Sequence, residues 1–205
     1  LTEVSKIVRE ARGVVIFDEV QAGFGRTGRW WGYQMTDTTP DIAVMGKPMG
    51  AGLPVSGVVA RKEIAEEFHQ KSHYFNTTAG TPLPAAVGKT VIEIIEEEGL
   101  IENAYETGGY MKKEFLNLKD CYPSMGDVRG HGLFLGVDMI KNLDDLEPDK
   151  EGAVAVVEKM KEKGFLISYD GQFENVLKIR PPLVFKTSHA ELFLTGLEET
   201  LKEVS

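Results

Sequence analysis

An acid and an amine each follow a short apolar run in this sequence. Asp18 comes directly after the run Val14–Phe17, and Lys47 comes two residues after the run Ile42–Met45. Continuous apolar runs of this length are typical of strands buried on both faces of a sheet, and we expect the same of a third strand at residues 56–60. In an open α/β sheet the ligand lies beyond the carboxyl ends of the strands, so two strands could deliver both groups to one bound molecule. The spacing alone equally fits an ordinary ion pair at a strand end.

The elements that would position these two residues indicate an α/β protein with two regions. Residues 1–100 alternate short strands, glycine-rich loops and amphipathic helices, which predicts part of a mostly parallel sheet. Residues 101–122 are predicted to form a connecting helix, and residues 123–205 a small C-terminal α+β domain. The predicted strands are 14–17, 42–45, 56–60, a hairpin within 128–140, 165–169 and 176–179; the predicted helices are 1–11, 62–69, 84–98, 101–118, 153–163 and a last one that a capping box at Ser188 and Glu191 would open.

Composition excludes several classes of function. The 205 residues carry a formal net charge of −9, whereas nucleic-acid binding needs a clustered basic face. The longest apolar runs fall far short of the roughly 20 residues that a membrane helix needs. The single cysteine, Cys121, cannot form an internal disulfide, which favours a reducing compartment. We therefore expect a cytoplasmic protein that binds neither nucleic acid nor a membrane.

The residues around Asp18 and Lys47 carry more information than their spacing. Residues 16–28 read IFDEVQAGFGRTG, and residues 40–60 read PDIAVMGKPMGAGLPVSGVVA. Both stretches resemble the class III aminotransferases, which depend on pyridoxal 5'-phosphate (PLP) and have the type I aminotransferase fold. Residues 73–88, 126–140 and 166–185 continue the resemblance in register. It covers nearly the whole chain and implies part of the PLP-binding large domain followed by the small domain.

The resemblance implies a role for each residue near the cofactor. Lys47 would hold PLP as a Schiff base and move protons during catalysis, a contribution worth roughly 10²–10⁴ in rate. Asp18 would pair with the pyridine nitrogen and keep the ring protonated. Val20 matches a position that packs on the ring face, and Gln21 one near the phenolic oxygen. Glu19 is predicted to be structural.

Two further groups of residues concern the partner subunit and the substrate. Thr77 matches the family threonine that donates to the PLP phosphate, characteristically from the neighbouring subunit, so the resemblance implies a homodimer. Residues 78–82, TAGTP, depart from the usual pattern of an aromatic residue, two glycines, Asn and Pro. Lys178 stands where many members carry a carboxylate-binding Arg, and Arg180 lies two residues later on the same predicted strand face. Either Arg180 replaces that Arg, or the substrate presents a different anion.

Three functions therefore remain open at the level of sequence. The first is an aminotransferase that moves an amino group from an amine or amino acid to a 2-oxo acid. The second is a PLP-dependent phospho-lyase acting on a phosphoethanolamine-type amine, because residues 170–182 resemble that branch and two cations suit a phosphate. The third is a polypeptide that is inactive without an N-terminal half. The family's phosphate-cradling turn and ring-stacking aromatic residue are not found before Asp18, so we expect the C-terminal half of an enzyme. His69 and His73 have a spacing that fits a metal pair on one helix, but no third ligand is apparent, and we expect no metal site.

Overall fold

The structure is a computed structural model and describes residues 1–204. These residues divide into two compact units, Leu1–Ile101 and Glu102–Ser205. Each unit combines helices with its own sheet.

The elements of the first unit follow the predicted order. Helix α1 is amphipathic, and short 3₁₀ helices at Gly32–Met35 and Lys47–Gly50 follow strands β1 and β2. The bounds are α1 Thr2–Glu10, β1 Ile16–Asp18, β2 Ile42–Met45, β3 Gly57–Ala60, α2 Lys62–Lys71 and α3 Pro82–Glu97. Each predicted element of this unit is present, and β2 has the bounds expected from its apolar run.

The first sheet has the order β1-β2-β3 and is mixed. Strand β1 runs parallel to β2, while β3 runs antiparallel to β2. The expectation that all three strands are buried on both faces is wrong for the residues described. Ile16, Val58 and Val59 remain 59%, 65% and 62% exposed, because no described residue covers them. Val58 and Val59 are adjacent in β3 and point to opposite faces, so apolar side chains are exposed on both faces of the sheet.

A buried carboxylate fixes the start of β2. Asp41 accepts a hydrogen bond from the backbone N–H of Val15 at 2.9 Å and pairs with Arg9 at 3.2 Å and Arg61 at 3.1 Å. The Val15 N–H and the two guanidinium groups hold the pKa of Asp41 below its usual value. Ionised Asp41 therefore stabilises the fold above the pKa that it has in the unfolded chain. That contribution is lost as the pH falls through the lowered folded-state pKa.

The second unit contains the larger core. Its antiparallel sheet has the order β4-β5-β7-β6, and buried side chains from three helices pack against the sheet. Met111, Phe115, Leu177 and Leu197 are fully buried there. The bounds are α4 Leu100–Cys121, β4 Met125–His131, β5 Phe134–Met139, α5 Lys150–Glu162, β6 Ser168–Asp170, β7 Val176–Ile179 and α6 Thr187–Val204.

The start of α6 differs from the predicted capping box. Helix α6 begins at Thr187, so Ser188 is already inside its first turn. The backbone N–H of Lys186, the residue before the helix, donates to His189 Nδ1 at 3.1 Å, so the His189 imidazole caps the start of α6. The capping-box prediction is wrong, because the helix begins before Ser188 and the acceptor is His189, two residues before Glu191. Strand β6 also begins later than expected, at Ser168.

Gly108 in α4 is required by a close approach of two backbones. A Cβ at this position would lie 2.0 Å from the carbonyl oxygen of Gly132 in the β4–β5 turn. Gly109 is exposed, and a Cβ there would have no heavy atom within 4 Å. We expect Gly108→Ala to lower the free energy of unfolding by roughly 1–3 kcal/mol, since the turn must move. Gly109→Ala, the matched control, should raise it by about 1 kcal/mol through helix propensity.

Urea denaturation of the two variants beside the wild-type protein measures both effects. Stabilisation of the same size in both variants would show that Gly132 does not approach the helix as closely as described.

Within residues 1–204, none of the helices combines the length and apolarity needed to cross a membrane.

Candidate active site

Asp18 and Lys47 lie at the same edge of the first sheet. Asp18 is the last residue of β1 and is opposite Val44 of the parallel strand β2. The backbone N–H of Glu19 donates to the Val44 carbonyl at 2.8 Å, which extends this pairing one residue past the strand. Lys47 follows three residues after Val44, and both side chains are exposed. The parallel pair therefore delivers an acid and an amine at its carboxyl end, where open α/β sheets bind ligands.

The backbone around Lys47 has an uncommon conformation. Lys47 has φ +32°, in a region that non-glycine residues rarely occupy. It begins the 3₁₀ helix Lys47–Gly50, and a Cβ on Gly88 of α3 would lie 3.6 Å from the Met49 carbonyl oxygen. Strained backbone of this kind persists where neighbouring structure holds it, and it is concentrated at functional sites.

Val20 lies between the two candidate residues. Its backbone N–H donates to Asp18 Oδ1 at 2.9 Å, and its γ-methyl groups would lie 3.8–3.9 Å from a Cβ on Gly46. Val20 and Gln21 are both half-buried. The first unit thus brings Asp18, Val20 and the Lys47 turn together at one edge of the sheet.

Thr77 lies in the exposed segment between α2 and α3. All residues from 72 to 80 are exposed, including Tyr74 at 68% and Phe75 at 85%. Asn76 Oδ1 accepts from both the N–H and the hydroxyl of Thr78, which forms a turn beside Thr77. Two aromatic side chains so exposed are typical of a surface that meets a partner.

Lys178 and Arg180 line one pocket of the second unit. Phe165, Ser168, Pro181 and further apolar residues also line it. The Arg180 guanidinium lies 5.8 Å from the centre of the Phe134 ring. Lys178 of β7 lies opposite Ser168 of the short strand β6, and Arg180 follows directly after β7 ends.

Asp170 is a partner of Lys178 that the sequence reasoning missed. Lys178 forms an ion pair with Asp170 at the end of β6, and Asp170 Oδ1 accepts from the N–H of Gly171. The ammonium of Lys178 is the main cause that holds the pKa of Asp170 below its usual value. The pairing of β6 with β7 could have been predicted from the Asp170-Gly171 turn between two apolar runs. Any substrate anion at Lys178 would have to share the ammonium with Asp170.

The two histidines considered as a metal pair do not share a helix. Helix α2 ends at Lys71, so His69 lies on it and His73 lies beyond its end. Among the residues that the structure describes, no three His, Cys, Asp or Glu side chains are grouped as a metal site.

The residues at the sheet edge fit the cofactor that the resemblance implies. A primary amine can bond an aldehyde, and a carboxylate can accept a hydrogen bond from a protonated pyridine nitrogen. Asp18 and Lys47 are exposed at this edge, so neither side chain is enclosed by the described residues. Gly46, directly before Lys47, has no side chain. A Cβ at this position would be in van der Waals contact with the Val20 methyl groups.

Comparisons with known proteins agree with the sequence motifs. The family model for aminotransferase class-III matches residues 1–201. The chain is 44% identical over 200 residues to an alanine–glyoxylate aminotransferase 2-like protein of Drosophila melanogaster, covering 96% of this chain and 40% of that protein. It is 39% identical over 203 residues to ethanolamine-phosphate phospho-lyase homolog 1 of Caenorhabditis elegans, covering 97% and 44%. The mitochondrial alanine–glyoxylate aminotransferase 2 of Homo sapiens is 39% identical over 89% of this chain and 36% of its own.

A solved structure has the same fold. A phospholyase from Arthrobacter, in complex with phosphoethanolamine, superposes with a TM-score of 0.94 at 43% identity, covering 98% of this chain and 48% of its own. The predicted fold class, part of a type I aminotransferase large domain followed by a small α+β domain, is thereby confirmed. The chain spans less than half the length of each of these relatives.

Proposed function

This chain belongs to the class III aminotransferases, a PLP-dependent family, and we propose that it carries the cofactor-bearing lysine of an enzyme acting on a small anionic amine. The observation that carries the proposal is the parallel pairing of β1 and β2, which places Asp18 and Lys47 at one sheet edge. When bound, PLP supplies an electron sink for the bonds of the amine's α-carbon.

Each residue of the first unit has a proposed task. Lys47 Nζ would hold the cofactor covalently, and its free amine would accept the α-proton of the substrate and return it. The negative charge of Asp18 would keep a proton on the pyridine nitrogen. The N–H of Val20 donates to Asp18 Oδ1 and so orients the carboxylate. Val20 and Gln21 are proposed to contact the cofactor ring and its phenolic oxygen, respectively.

The first candidate reaction is transfer of the amino group to a 2-oxo acid. Two of the relatives are named as alanine–glyoxylate aminotransferases or as similar to them. In this reading Arg180, which lines the pocket of the second unit, binds the carboxylate of the amino acid or oxo acid. A guanidinium is suited to a carboxylate through its two parallel N–H donors.

The second candidate is elimination of phosphate from a phosphoethanolamine-type amine. It is favoured by the pocket of the second unit, where Lys178 and Arg180 lie together. Two cations fit a phosphate dianion better than a single carboxylate. The phospho-lyase of Caenorhabditis elegans and the phospholyase of Arthrobacter are among the similar proteins.

One experiment separates the two candidates. The full-length enzyme is loaded with PLP and given phosphoethanolamine without any oxo acid, and in parallel alanine with glyoxylate. Amino transfer requires the acceptor, whereas elimination releases inorganic phosphate without it. Transfer to glyoxylate supports the first candidate, and phosphate release supports the second. If both amines were left unchanged while PLP was bound at full occupancy, both candidates would be wrong.

Lys178→Ala tests whether the pocket binds the substrate anion. A charged hydrogen bond contributes about 1.5–3 kcal/mol, so under the second candidate kcat/KM for phosphoethanolamine should fall roughly 10- to 150-fold. Lys150→Ala is the matched control, because it removes an exposed ion pair, with Glu174, from the same unit. Equal kcat/KM values for the two variants would show that Lys178 is not an anion ligand.

The assembly and the compartment are also proposals. A homodimer is supported by the exposed segment that carries Thr77, with Tyr74 and Phe75 beside it. A monomeric, fully PLP-loaded enzyme in analytical ultracentrifugation would contradict this.

A cytoplasmic location stays a prediction. The single cysteine favours it, whereas the human relative is mitochondrial. Imaging of a tagged full-length protein would decide the compartment.

A further inference from the structure

The residue after Asp18, Glu19, has a buried carboxylate that accepts hydrogen bonds from two backbone N–H groups. Glu19 is 1% exposed, and its side chain reaches 13 and 14 residues along the chain. Oε2 accepts from the N–H of Gly32 and Oε1 from the N–H of Tyr33, both at 2.7 Å. These two N–H groups open the 3₁₀ helix Gly32–Met35, so one side chain satisfies two donors that would otherwise lack an intrahelical partner.

Glu19 closes the long loop after β1 at both ends. Its backbone N–H donates to Val44 of β2, and its carbonyl oxygen accepts from the N–H of Gly23 at 2.9 Å. A Cβ on Gly32 would lie 3.2 Å from Oε2 of Glu19, so the returning chain passes directly over the carboxylate. The backbone of Glu19 thus connects the sheet to the start of the loop, and its side chain connects both to the far end of the loop.

Both neighbours of Asp18 contact the same returning residue. Phe17, before it, packs edge-on against the Tyr33 ring with centroids 6.2 Å apart. Glu19, after it, binds the Tyr33 backbone. The carboxylate of Asp18 is oriented by the N–H of Val20, one residue beyond Glu19. The backbone that sets the direction of Asp18 is therefore held from both sides by contacts to the returning loop.

We propose that Glu19 is a positioning residue: by binding Gly32 and Tyr33 it fixes the backbone of residues 17–20 and so directs the Asp18 carboxylate towards the cofactor. The inference rests on the proposed role of Asp18. A misplacement of about 1 Å in a group that meets the reacting system can cost roughly 10²-fold in rate. A side chain with two strong bonds to the loop is placed to prevent a shift of that size.

Glu19→Gln in the full-length enzyme tests this inference. The amide keeps one acceptor oxygen but turns an N–H donor towards another N–H donor. We expect faster hydrogen exchange at Gly32 and Tyr33 in the PLP-free protein. In the PLP-loaded protein we expect a kcat roughly 10- to 100-fold lower with little change in KM. The pH dependence of the cofactor absorbance should move in the same direction as in Asp18→Asn.

Asp41→Asn is the matched control, because Asp41 is also a buried carboxylate of the first unit that accepts a backbone N–H. It lies at the opposite end of β2 from Lys47, so its loss should lower the melting temperature without changing the absorbance profile or kcat. Should Glu19→Gln fail to fold, Glu19→Asp keeps the charge and shortens the reach. It should change the same quantities in the same direction by a smaller amount.

The outcomes distinguish the inference from the proposal beneath it. If Glu19→Gln loses stability and exchange protection but keeps the wild-type kcat and absorbance profile, Glu19 is a structural residue and the inference is wrong. If Asp18→Asn itself leaves kcat and absorbance unchanged, the proposed role of Asp18 fails and the inference falls with it. Loss of kcat in both variants, with a normal kcat in Asp41→Asn, supports both.

Discussion

Lys47→Ala in the full-length enzyme is expected to abolish turnover and covalent attachment of PLP while leaving the fold intact. The loss of a positioned acid–base group alone should lower kcat by roughly 10²–10⁴-fold, or about 3–5.5 kcal/mol. The loss of the covalent bond to the cofactor adds to this. The fold should persist because the Lys47 side chain is exposed. The alanine keeps a Cβ, so the strain of φ +32° is the same in wild type and variant.

Borohydride reduction followed by mass spectrometry measures the attachment directly. Wild-type protein should retain PLP on the peptide that contains Lys47, and the variant should retain none. Lys89→Ala is the matched control, since Lys89 is an exposed lysine of the same unit paired with Glu93. A reducible PLP adduct that survives in Lys47→Ala but not in another lysine variant would move the assignment to that lysine.

The strands that carry the site were predictable because their sequence signals are local. Ile42–Met45 is an apolar run followed by Gly46, and Val176–Ile179 is a mostly apolar run between Asn175 and Arg180; the structure gives both strands these bounds. Asp18 and Lys47 could be placed at one edge because parallel strands end on the same side. The roles of these residues stay predictions, since neither the fold nor the similar proteins test them.

The parts that the sequence did not predict depend on contacts between distant residues. From the sequence, Gly108 only lowers the predicted stability of a helix. The structure shows that the backbone of Gly132 approaches it so closely that no Cβ fits there. Asp170 reads as a turn residue until the pairing of β6 with β7 brings it to Lys178. The sequence predicts only a structural role for Glu19, whereas its partners 13 and 14 residues away follow from the closure of the loop. The burial of β1 and β3 is overestimated from the sequence. An apolar run predicts a buried strand, but it does not show whether another part of the described chain covers that strand.

Asp18→Asn is expected to lower kcat much more than it lowers PLP affinity. A charged hydrogen bond contributes about 1.5–3 kcal/mol, so its loss should reduce kcat by roughly 10- to 150-fold. The asparagine oxygen can still accept from the N–H of Val20, so the local backbone should not change. The amide carries no charge, and the pyridine nitrogen therefore loses the group that keeps it protonated. PLP affinity should fall by less than about tenfold, because the covalent bond to Lys47 is unaffected.

The pH–rate profile and the pH dependence of the cofactor absorbance together separate this role of Asp18 from that of a general acid. An enzyme that used Asp18 as a proton donor to the substrate would lose the alkaline limb of its pH–rate profile in the variant, because a general acid must be protonated to act. An enzyme that uses it to hold the ring proton would keep that limb, and the pH at which the cofactor absorbance changes would move instead. Asp37→Asn is the control, since Asp37 is an exposed carboxylate in the loop between β1 and β2. A near-normal kcat in Asp18→Asn would show that the carboxylate at the end of β1 does not act on the cofactor.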